Sequence, residues 1–324
     1  MQGISFFTLD PELGQRIAEQ AGLALAAHEH RSFEDGECKL RPLESVRDRD
    51  VYLLAPLHGD AETSVSDRLM QALVLIGALR DAGAARLTAV LPYLCYARKD
   101  RRTKSRDPVS TRLVAGLFES VGVDRVLTLD VHNLAAFENA FRIGTDHLTA
   151  ASVLASHLAP GLSGDVVVIS PDLGGIKRAD LFRGVLAGKL GREPGSGFME
   201  KHRSAGVVSG ERLVADVAGC DVVLVDDLIS SGGTLARAAR ACREQGAARI
   251  FAAATHGVLA PEAEGVLRDS DLDGVVITDT VPVPRPGCSV EWPGLEVVSV
   301  APLLADALRR LTGGGSLTGL GVYP

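Results

Sequence analysis

Residues 221–235 read DVVLVDDLISSGGTL. An apolar, β-branched run ends in two adjacent carboxylates, Asp226 and Asp227, and a turn of small polar residues leads into a helical pattern. The order strand, acidic pair, small-residue loop, helix is that of a βα unit. Open α/β sheets bind their ligands at the carboxyl ends of the strands. The stretch therefore predicts a ligand site on a parallel sheet.

The turn after the acidic pair has the composition of a phosphate-binding loop. It consists of Ser230, Ser231, Gly232, Gly233 and Thr234. Loop N–H groups and a helix N-terminus favour a phosphate dianion, and the carboxylates can accept hydrogen bonds from a sugar diol. No Gly-Lys-Ser/Thr follows the glycines, so the loop is not a Walker A loop. A plain helix cap is the alternative explanation of the serines and glycines.

Composition limits the class of protein. The chain has 324 residues, long enough for two domains, with 46% hydrophobic and 23% charged residues, which is typical of globular proteins. Aromatic residues are only 4%, so a core of Val, Leu and Ala under helices is expected. The formal net charge of −7 argues against a non-specific nucleic-acid binder, which is more often basic.

The cysteines and the N-terminus indicate a reducing compartment. No CxxC pair occurs among the five cysteines, which predicts neither a zinc site nor a disulfide framework. They are Cys38, Cys95, Cys220, Cys242 and Cys288. The N-terminus lacks the basic and apolar regions of a signal peptide, and no apolar run is long enough to span a membrane. We therefore expect a cytoplasmic protein that does not bind membranes.

Short apolar strands alternate with helical patterns along the chain. The predicted strands are 51–55, 87–91, 125–129, 166–169, 222–225, 250–255, 274–278 and 297–300. The predicted helices are 67–82, 110–121, 150–158, 233–245 and 301–311. This alternation predicts an α/β fold with mainly parallel sheets.

The chain also reads as two similar halves. An acidic strand end occurs in each, VLTLDVHN at 126–133 and VVLVDDLIS at 222–230. We expect an N-terminal domain at 1–149, a C-terminal domain at 150–311 and a glycine-rich, mobile tail at 312–324.

Several further segments carry charged or polar groups next to predicted strands. They are FEDGE at 33–37, PYLCYARKDRR at 92–102, Asp130 with His132, SPDLGG at 170–175 and GSGFMEKHRS at 195–204. Taken alone, FEDGE is typical of a hairpin turn, and the basic runs are typical of solvated loops. In this order, together with the acidic pair, the segments resemble those of the phosphoribosyl pyrophosphate (PRPP) synthetases. That family shares its PRPP-binding motif with the type I phosphoribosyltransferases.

The resemblance implies two tandem phosphoribosyltransferase-like domains and assigns roles to residues. ATP-binding residues would be Phe33, Asp35, Glu37, Arg98, Lys99, Asp100 and His132. Mg²⁺–ATP would be held by His132 and Asp172. Ribose 5-phosphate would be bound by Asp226, Asp227, Ser230, Ser231, Gly232, Gly233 and Thr234. Lys201 and Arg203, on a flexible loop that acts as a lid, would stabilise the transition state. Ser45, Arg47 and Arg106 match a regulatory phosphate/ADP site, with phosphate as a candidate activator.

Two positions depart from the family pattern. Lys99 stands where the family usually has glutamine, and lysine adds a charge and cannot accept a hydrogen bond. Ser230 and Ser231 stand where the bacterial form often has Asp-Thr, so hydroxyl and N–H donors are kept while a carboxylate is lost.

The resemblance implies a ribose-phosphate diphosphokinase, which transfers diphosphate from ATP to the C1 hydroxyl of ribose 5-phosphate and yields PRPP and AMP. It also implies a homo-oligomer, a dimer or hexamer, in which Phe33 stacks on adenine across a subunit interface. Three alternatives stay open: a catalytically silent regulatory relative, a phosphoribosyltransferase that consumes PRPP, and a kinase acting on a related pentose phosphate.

Overall fold

The computed structural model describes residues 3–204, 207–283 and 292–321, and the side chains of residues 201–211 lie outside this description. Two compact units are present: Met1–Thr149 together with Ala301–Pro324, and Ala150–Val300. Within the described ranges, no helix is both long and apolar enough to cross a bilayer. Cys38, Cys95, Cys220 and Cys242 are free thiols, whereas Cys288 lies outside the described residues.

The first unit is built on a parallel sheet with the strand order β1-β4-β5-β6-β7, and β2 and β3 form a separate antiparallel hairpin. Its strands are β1 (Ile4–Thr8), β2 (His28–Ser32), β3 (Cys38–Pro42), β4 (Asp50–Leu54), β5 (Arg86–Leu91), β6 (Arg125–Leu129) and β7 (Gly144–Leu148). Its helices are α1 (Pro11–Ala21), α2 (Val65–Asp81), α3 (Ser110–Ser120), α4 (Leu134–Ala140) and, from the end of the chain, α9 (Ala301–Gly313).

The second unit is built on a sheet with the order β10-β9-β8-β11-β12-β13-β14, parallel except for the β9–β10 pair. Its strands are β8 (Val166–Ser170), β9 (Gly195–Ser204), β10 (Val207–Val214), β11 (Asp221–Ile229), β12 (Arg249–Gly257), β13 (Gly274–Thr278) and β14 (Leu295–Val298). Its helices are α5 (Ala151–Leu158), α6 (Ile176–Leu190), α7 (Gly233–Glu244) and α8 (Ala263–Arg268), with a 3₁₀ turn at Ala159–Gly161.

The central strands are largely apolar because their side chains are buried on both faces of the sheet. Every residue of β4 and of β8 is buried, which matches the continuous apolar runs expected of parallel strands. Helix α2 begins with a capping box, in which Ser64 and Asp67 satisfy each other's backbone N–H groups. The predicted strands and helices are all present, with shifted ends, so the predicted α/β fold is confirmed.

The end of the chain belongs to a different unit from the one we expected. Residues 301–311 were predicted in the C-terminal domain, but α9 is part of the first unit, where it packs against α1. Leu304 and Leu308 lie on the buried face of α9, and Leu13 and Ile17 lie on the buried face of α1. An amphipathic helix pattern predicts that a face is buried without saying against which partner, and this explains the difference.

The glycine-rich segment after α9 is held through its own carbonyl oxygens, which accept hydrogen bonds from other residues of the first unit. Arg310 donates from Nη1 to the carbonyl oxygens of Ser316 and Thr318, at 3.0 and 3.3 Å. The Thr149 N–H donates to the carbonyl oxygen of Gly321 at 2.9 Å. Residues 312–321, expected as part of a tail, therefore make specific hydrogen bonds.

Candidate functional site

The acidic pair lies inside strand β11, at the point where the neighbouring strand β8 has ended. Pairing between β11 and β8 runs only as far as Leu224 and Ile169, whereas pairing with β12 continues to Ile229. Asp226 and Asp227 therefore follow the last β8 pairing, at the carboxyl edge of the sheet. The strand was predicted to stop at residue 225. Its extension comes from the β12 partner, which no local signal in the sequence reveals.

An arginine from α6 contacts both carboxylates. Arg178 Nη1 lies 3.0 Å from Asp227 Oδ1 and 3.4 Å from Asp226 Oδ1. The Asp227 N–H also donates to Asp226 Oδ1 at 2.8 Å. Burial, and then the neighbouring Asp227 carboxylate, raise the pKa of Asp226 to about 8, against the opposing effect of Arg178. The pair therefore favours keeping a proton on Asp226 near neutral pH.

The small-residue loop leads directly into α7, as predicted. Gly232 is the N-cap residue with φ of +79°, and a Cβ there would lie 2.9 Å from Leu267, so only glycine fits both the backbone and the space. The Ala260 N–H donates to the carbonyl oxygen of Ser230 at 3.0 Å and supports the loop. Gly232 has no side chain that could cap α7, and the N–H groups at the start of a helix are suited to an anion.

Asp172 lies in the turn between β8 and α6. The Gly175 N–H donates to Asp172 Oδ1 at 3.0 Å, and Ser170 Oγ donates to the Asp172 carbonyl oxygen at 2.6 Å. These bonds orient a half-buried carboxylate in the same turn that precedes Arg178.

His132 lies in the first unit, exposed just beyond β6. No cluster of three or more His, Cys, Asp or Glu side chains that would hold a metal occurs in the described part of the chain. Mg²⁺ keeps several waters and binds through one or two protein groups plus phosphate oxygens. Asp172 offers an oriented carboxylate in the second unit, and His132 offers an accessible imidazole in the first.

The basic segment after β5 is tied to its own loop. Lys99 Nζ donates to Asp107 Oδ2 at 2.5 Å and to Thr103 Oγ1 at 3.0 Å. The Lys104 N–H donates to the same Asp107 oxygen at 2.9 Å. These donors, Lys99 first, hold the pKa of Asp107 well below its usual range. The lysine that replaces the family's glutamine thus lies against a carboxylate of the loop 99–107.

The two strand-end segments of the first unit meet through one hydrogen bond. Asn133 Nδ2 donates to Asp100 Oδ2 at 2.6 Å, and Asn133 Oδ1 accepts the Ala136 N–H to cap α4. Arg98, next to this pair, is exposed. The structure therefore joins the Arg98–Asp100 and His132 segments, and Asn133 is a linking residue that the sequence did not single out.

The hairpin turn expected at 33–37 is confirmed. The Phe33 N–H donates to the Glu37 carbonyl oxygen at 2.8 Å, and Gly36 has φ of +91°. Asp35 Oδ1 accepts the Glu37 N–H at 3.0 Å, and the Arg31 guanidinium lies 5.0 Å from the centroid of the Phe33 ring. Asp35 and Glu37 are exposed, and Phe33 is half-buried at the tip of the hairpin.

The segment 195–204 is a strand, not the irregular lid that we expected. Its first part, β9, pairs with β8 from Gly195 to Phe198, and the rest forms an antiparallel pair with β10. A Cβ at Gly197 would lie 2.4 Å from Ala215 Cβ and 2.7 Å from Ile169 Cδ1. The glycine therefore serves close strand packing rather than flexibility. Lys201 and Arg203 follow along the backbone of this hairpin, and their side chains lie outside the described residues.

The residues matching a regulatory site are all exposed on loops. Ser45 and Arg47 lie between β3 and β4, and Arg106, with φ of +69°, lies between β5 and α3. A separate cavity of about 500 Å³ occurs in the first unit, lined by residues that include Tyr52, Arg125 and Thr318. The expected ATP-binding residues, His132 included, do not line this cavity.

The parallel sheets and the acidic strand end with its glycine loop define a protein with two phosphoribosyltransferase-like domains. Residues 4–122 match the family model for the N-terminal domain of ribose phosphate pyrophosphokinase, and residues 208–321 match that of the phosphoribosyl synthetase-associated domain. The chain belongs to the ribose-phosphate pyrophosphokinase family, a family of transferases.

Individual relatives match nearly the whole chain. A ribose-phosphate pyrophosphokinase of Caldanaerobacter subterraneus subsp. tengcongensis is 40% identical over 96% of this chain and 95% of its own length. One from Gloeobacter violaceus is 39% identical over 93% of this chain and 87% of its own. The crystal structure of phosphoribosylpyrophosphate synthetase from Mycobacterium smegmatis superposes with a TM-score of 0.84 at 35% identity, covering 97% of this chain and all of that one.

Proposed function

We propose that the protein transfers diphosphate from ATP to the C1 hydroxyl of ribose 5-phosphate and releases PRPP and AMP. The observation that carries this proposal is the acidic pair followed by the glycine loop in the second unit. The C1 oxygen attacks the β-phosphorus, the bond from that phosphorus to the α–β bridging oxygen breaks, and the hydroxyl proton is lost to solvent or base. Such a transfer depends on positioning and on stabilisation of charge.

The second unit would bind the sugar phosphate. Asp226 and Asp227 would accept hydrogen bonds from ribose hydroxyls, and the loop of Ser230, Ser231, Gly232, Gly233 and Thr234 would bind the 5-phosphate. The buried Asp227, the partly exposed Asp226 beside it and the N–H groups at the start of α7 support this arrangement. Serine in place of Asp-Thr keeps the donors that the phosphate needs.

The first unit would bind the nucleotide. Arg98 would contact the phosphates and Phe33 would stack on adenine, with Asp35, Glu37 and Asp100 positioning these segments. The pairing of Lys99 with Asp107 supports a role for Lys99 in ordering the loop beside the nucleotide. Magnesium, held through His132 and Asp172, would neutralise part of the triphosphate charge.

Lys201 and Arg203 would stabilise charge on the diphosphate as it is transferred. Both residues follow along the β9–β10 hairpin, beyond the part that pairs with β8. Fixed cations in a site without water stabilise a transition state more than solvent does.

We also propose an oligomeric assembly and a regulatory phosphate site. A homo-oligomer, dimer or hexamer, would let the exposed 33–37 turn of one subunit reach the nucleotide of another. The exposed Ser45, Arg47 and Arg106 would bind inorganic phosphate as an activator. We expect the enzyme to act in the cytoplasm.

Phosphorus NMR of the purified protein with Mg²⁺, ATP and ribose 5-phosphate tests the reaction. AMP together with a new 1-diphosphate signal is the expected result. ADP with a phosphomonoester product would identify a kinase that transfers the γ-phosphoryl group to a pentose phosphate. Binding of ATP without turnover would identify a regulatory relative.

Replacement of Lys201 by alanine tests the role of the hairpin. We expect Lys201→Ala to lower kcat by about 100- to 1000-fold, the usual effect of losing one transition-state donor, while calorimetry still detects ATP binding. Lys189→Ala, at an exposed lysine of α6, is the matched control and should keep full activity. An equal loss of ATP affinity in Lys201→Ala would contradict a role confined to the transition state.

A further inference from the structure

Arg178 occupies a position that its own helix does not explain. It is the third residue of α6, whose first turn contains no acidic residue and whose N-cap is Gly175 without a side-chain cap. A cation in the first helical turn opposes the positive end of the helix dipole. Something outside the helix must therefore compensate for this charge.

The compensation comes from the acidic pair on β11. Arg178 Nη1 lies within 3.4 Å of a carboxylate oxygen of both Asp226 and Asp227. The Arg178 side chain is 13% exposed and that of Asp227 only 3%. A carboxylate so deeply buried is costly unless a cation or hydrogen-bond donors accompany it. Because one guanidinium nitrogen lies near both aspartates, it also couples the orientation of one carboxylate to that of the other.

The turn before α6 is tightly packed at Gly175, mainly against Ser170. A Cβ added at Gly175 would lie 2.7 Å from Ser170 Oγ and 3.6 Å from Arg178 Nη1. Gly175 also donates its N–H to Asp172, so the turn that orients the Asp172 carboxylate leads directly into the helical turn that carries Arg178. Lysine would supply the charge without the planar, rigid set of donors.

The arrangement has a consequence for a sugar ligand. Adjacent carboxylates repel each other, and their oxygens must be correctly directed to accept hydrogen bonds from sugar hydroxyls. We propose that Arg178 is a positioning residue that directs the Asp226–Asp227 pair towards the ribose hydroxyls, and that the 5-phosphate is bound without its help. This inference rests on the proposed function and extends it to a residue that need not touch the substrate.

Binding measurements with two sugar phosphates test this role. Ribose 5-phosphate and 2-deoxyribose 5-phosphate carry the same phosphate, but the second lacks one of the hydroxyls that a carboxylate would accept. In calorimetry with the full chain, the wild-type protein should bind ribose 5-phosphate more tightly than the deoxy sugar. In Arg178→Met we expect the affinity for ribose 5-phosphate to fall by about 10- to 100-fold and the affinity for the deoxy sugar by much less, so that the preference disappears. The affinity of Arg178→Lys for ribose 5-phosphate should lie between those of the wild type and Arg178→Met.

The same helix offers a matched control. Arg183 also pairs with two carboxylates, Asp180 and Glu193, each at 2.9 Å, but these carboxylates are exposed. Arg183→Met should bind both sugars as the wild type does. An equal loss of both sugars in Arg178→Met, or no loss of either, would overturn the positioning role.

A second variant distinguishes a loss of positioning from a loss of the folded state. Arg178→Met leaves Asp227 as a buried charge without this cation, so its Tm should fall. The double variant Arg178→Met/Asp227→Asn removes that charge, and we expect it to recover Tm without recovering the preference for ribose 5-phosphate. A double variant that binds ribose 5-phosphate as tightly as the wild type would overturn the proposal. Wild-type protein that binds neither sugar would instead overturn the proposed function.

Discussion

Lys99 in the first unit reaches a carboxylate eight residues further along its own loop, whereas Arg178 in the second unit reaches carboxylates on a strand about fifty residues away in sequence. The Lys99 and Asp107 side chains are 34% and 23% exposed, against 13% and 3% for Arg178 and Asp227. Both units thus place a cation against an acid beside a predicted binding segment, but only the second buries the pair.

The difference concerns what each contact can do. An exposed pair within one loop restricts that loop and is weakened by water and salt. A buried pair between a helix and a strand joins two elements whose positions the whole sheet determines, and losing one partner leaves the other charge without compensation. We therefore expect substitutions in the second unit to change stability and sugar binding together, and those in the first unit to act on local order.

The largest expected effect is that of Asp227→Ala. It leaves Arg178 buried without its closer carboxylate, and we expect the free energy of unfolding to fall by about 3–5 kcal/mol. Thermal and urea unfolding measure this. Asp107→Ala, the corresponding change in the first unit, should lose clearly less stability, since its former donors can turn to water. Equal losses would mean that burial does not separate the two pairs.

A smaller effect, with a pH dependence, is expected for Asp226→Asn. The pKa of Asp226 in the folded protein is raised to about 8, above its unfolded value near 4, so the folded state keeps a proton that the unfolded state releases. Stability should therefore decline as the pH rises from about 4 to about 8. Asparagine removes the ionisation and can still accept the Asp227 N–H. We expect Asp226→Asn to be more stable than the wild type above pH 8, by at least about 1.4 kcal/mol, the equivalent of one pKa unit.

The check is a series of melting curves from pH 4 to pH 9. The advantage of Asp226→Asn should shrink towards pH 4, where both proteins carry a neutral side chain. A constant difference at every pH would show that the ionisation of Asp226 does not contribute.

The smallest effect is expected for Lys99→Gln, which restores the residue usual in the family. Because Lys99 is held by Asp107, we expect KM for ATP to change by no more than about fivefold, the range of an exposed ion pair. Hydrogen exchange at the amides of Thr103 and Lys104, which both donate to Asp107, should become faster. Lys104→Gln, at an exposed lysine in the same loop, serves as the control. A large rise in KM without faster exchange would instead indicate that Lys99 contacts the nucleotide.

The sequence predicted those elements whose local pattern agrees with their environment. Strands β4 and β8 are mostly apolar because every residue in them is buried, and β11 with its loop and α7 carries the turn chemistry as well. The strands that the sequence did not predict have other patterns. The β2 strand, HEHRS, is polar and largely exposed, and β9 begins with glycines that a strand tolerates only because its neighbours approach closely.

The candidate site divides in the same way. The acidic pair, the phosphate loop, Asp172 and the 33–37 turn were all predicted from the residues and the family resemblance, since their chemistry is local. Arg178 lies three residues after the SPDLGG segment and received no role, because an arginine in a first helical turn gives no sign of which carboxylate it will contact. Asp107 and Asn133 lacked any distinguishing signal, as each acts through a partner chosen by the path of a loop.

By itself, the sequence determined the α/β class, the family and the residue types offered to a sugar phosphate and a nucleotide, because periodicity and turn chemistry are properties of neighbouring residues. Only the tertiary structure decided that α9 belongs to the first unit, that Lys99 is bound to Asp107, and that Arg178 lies against the acidic pair. These contacts join residues distant along the chain or across a loop. Their energies depend on burial and distance, which the order of residues does not specify.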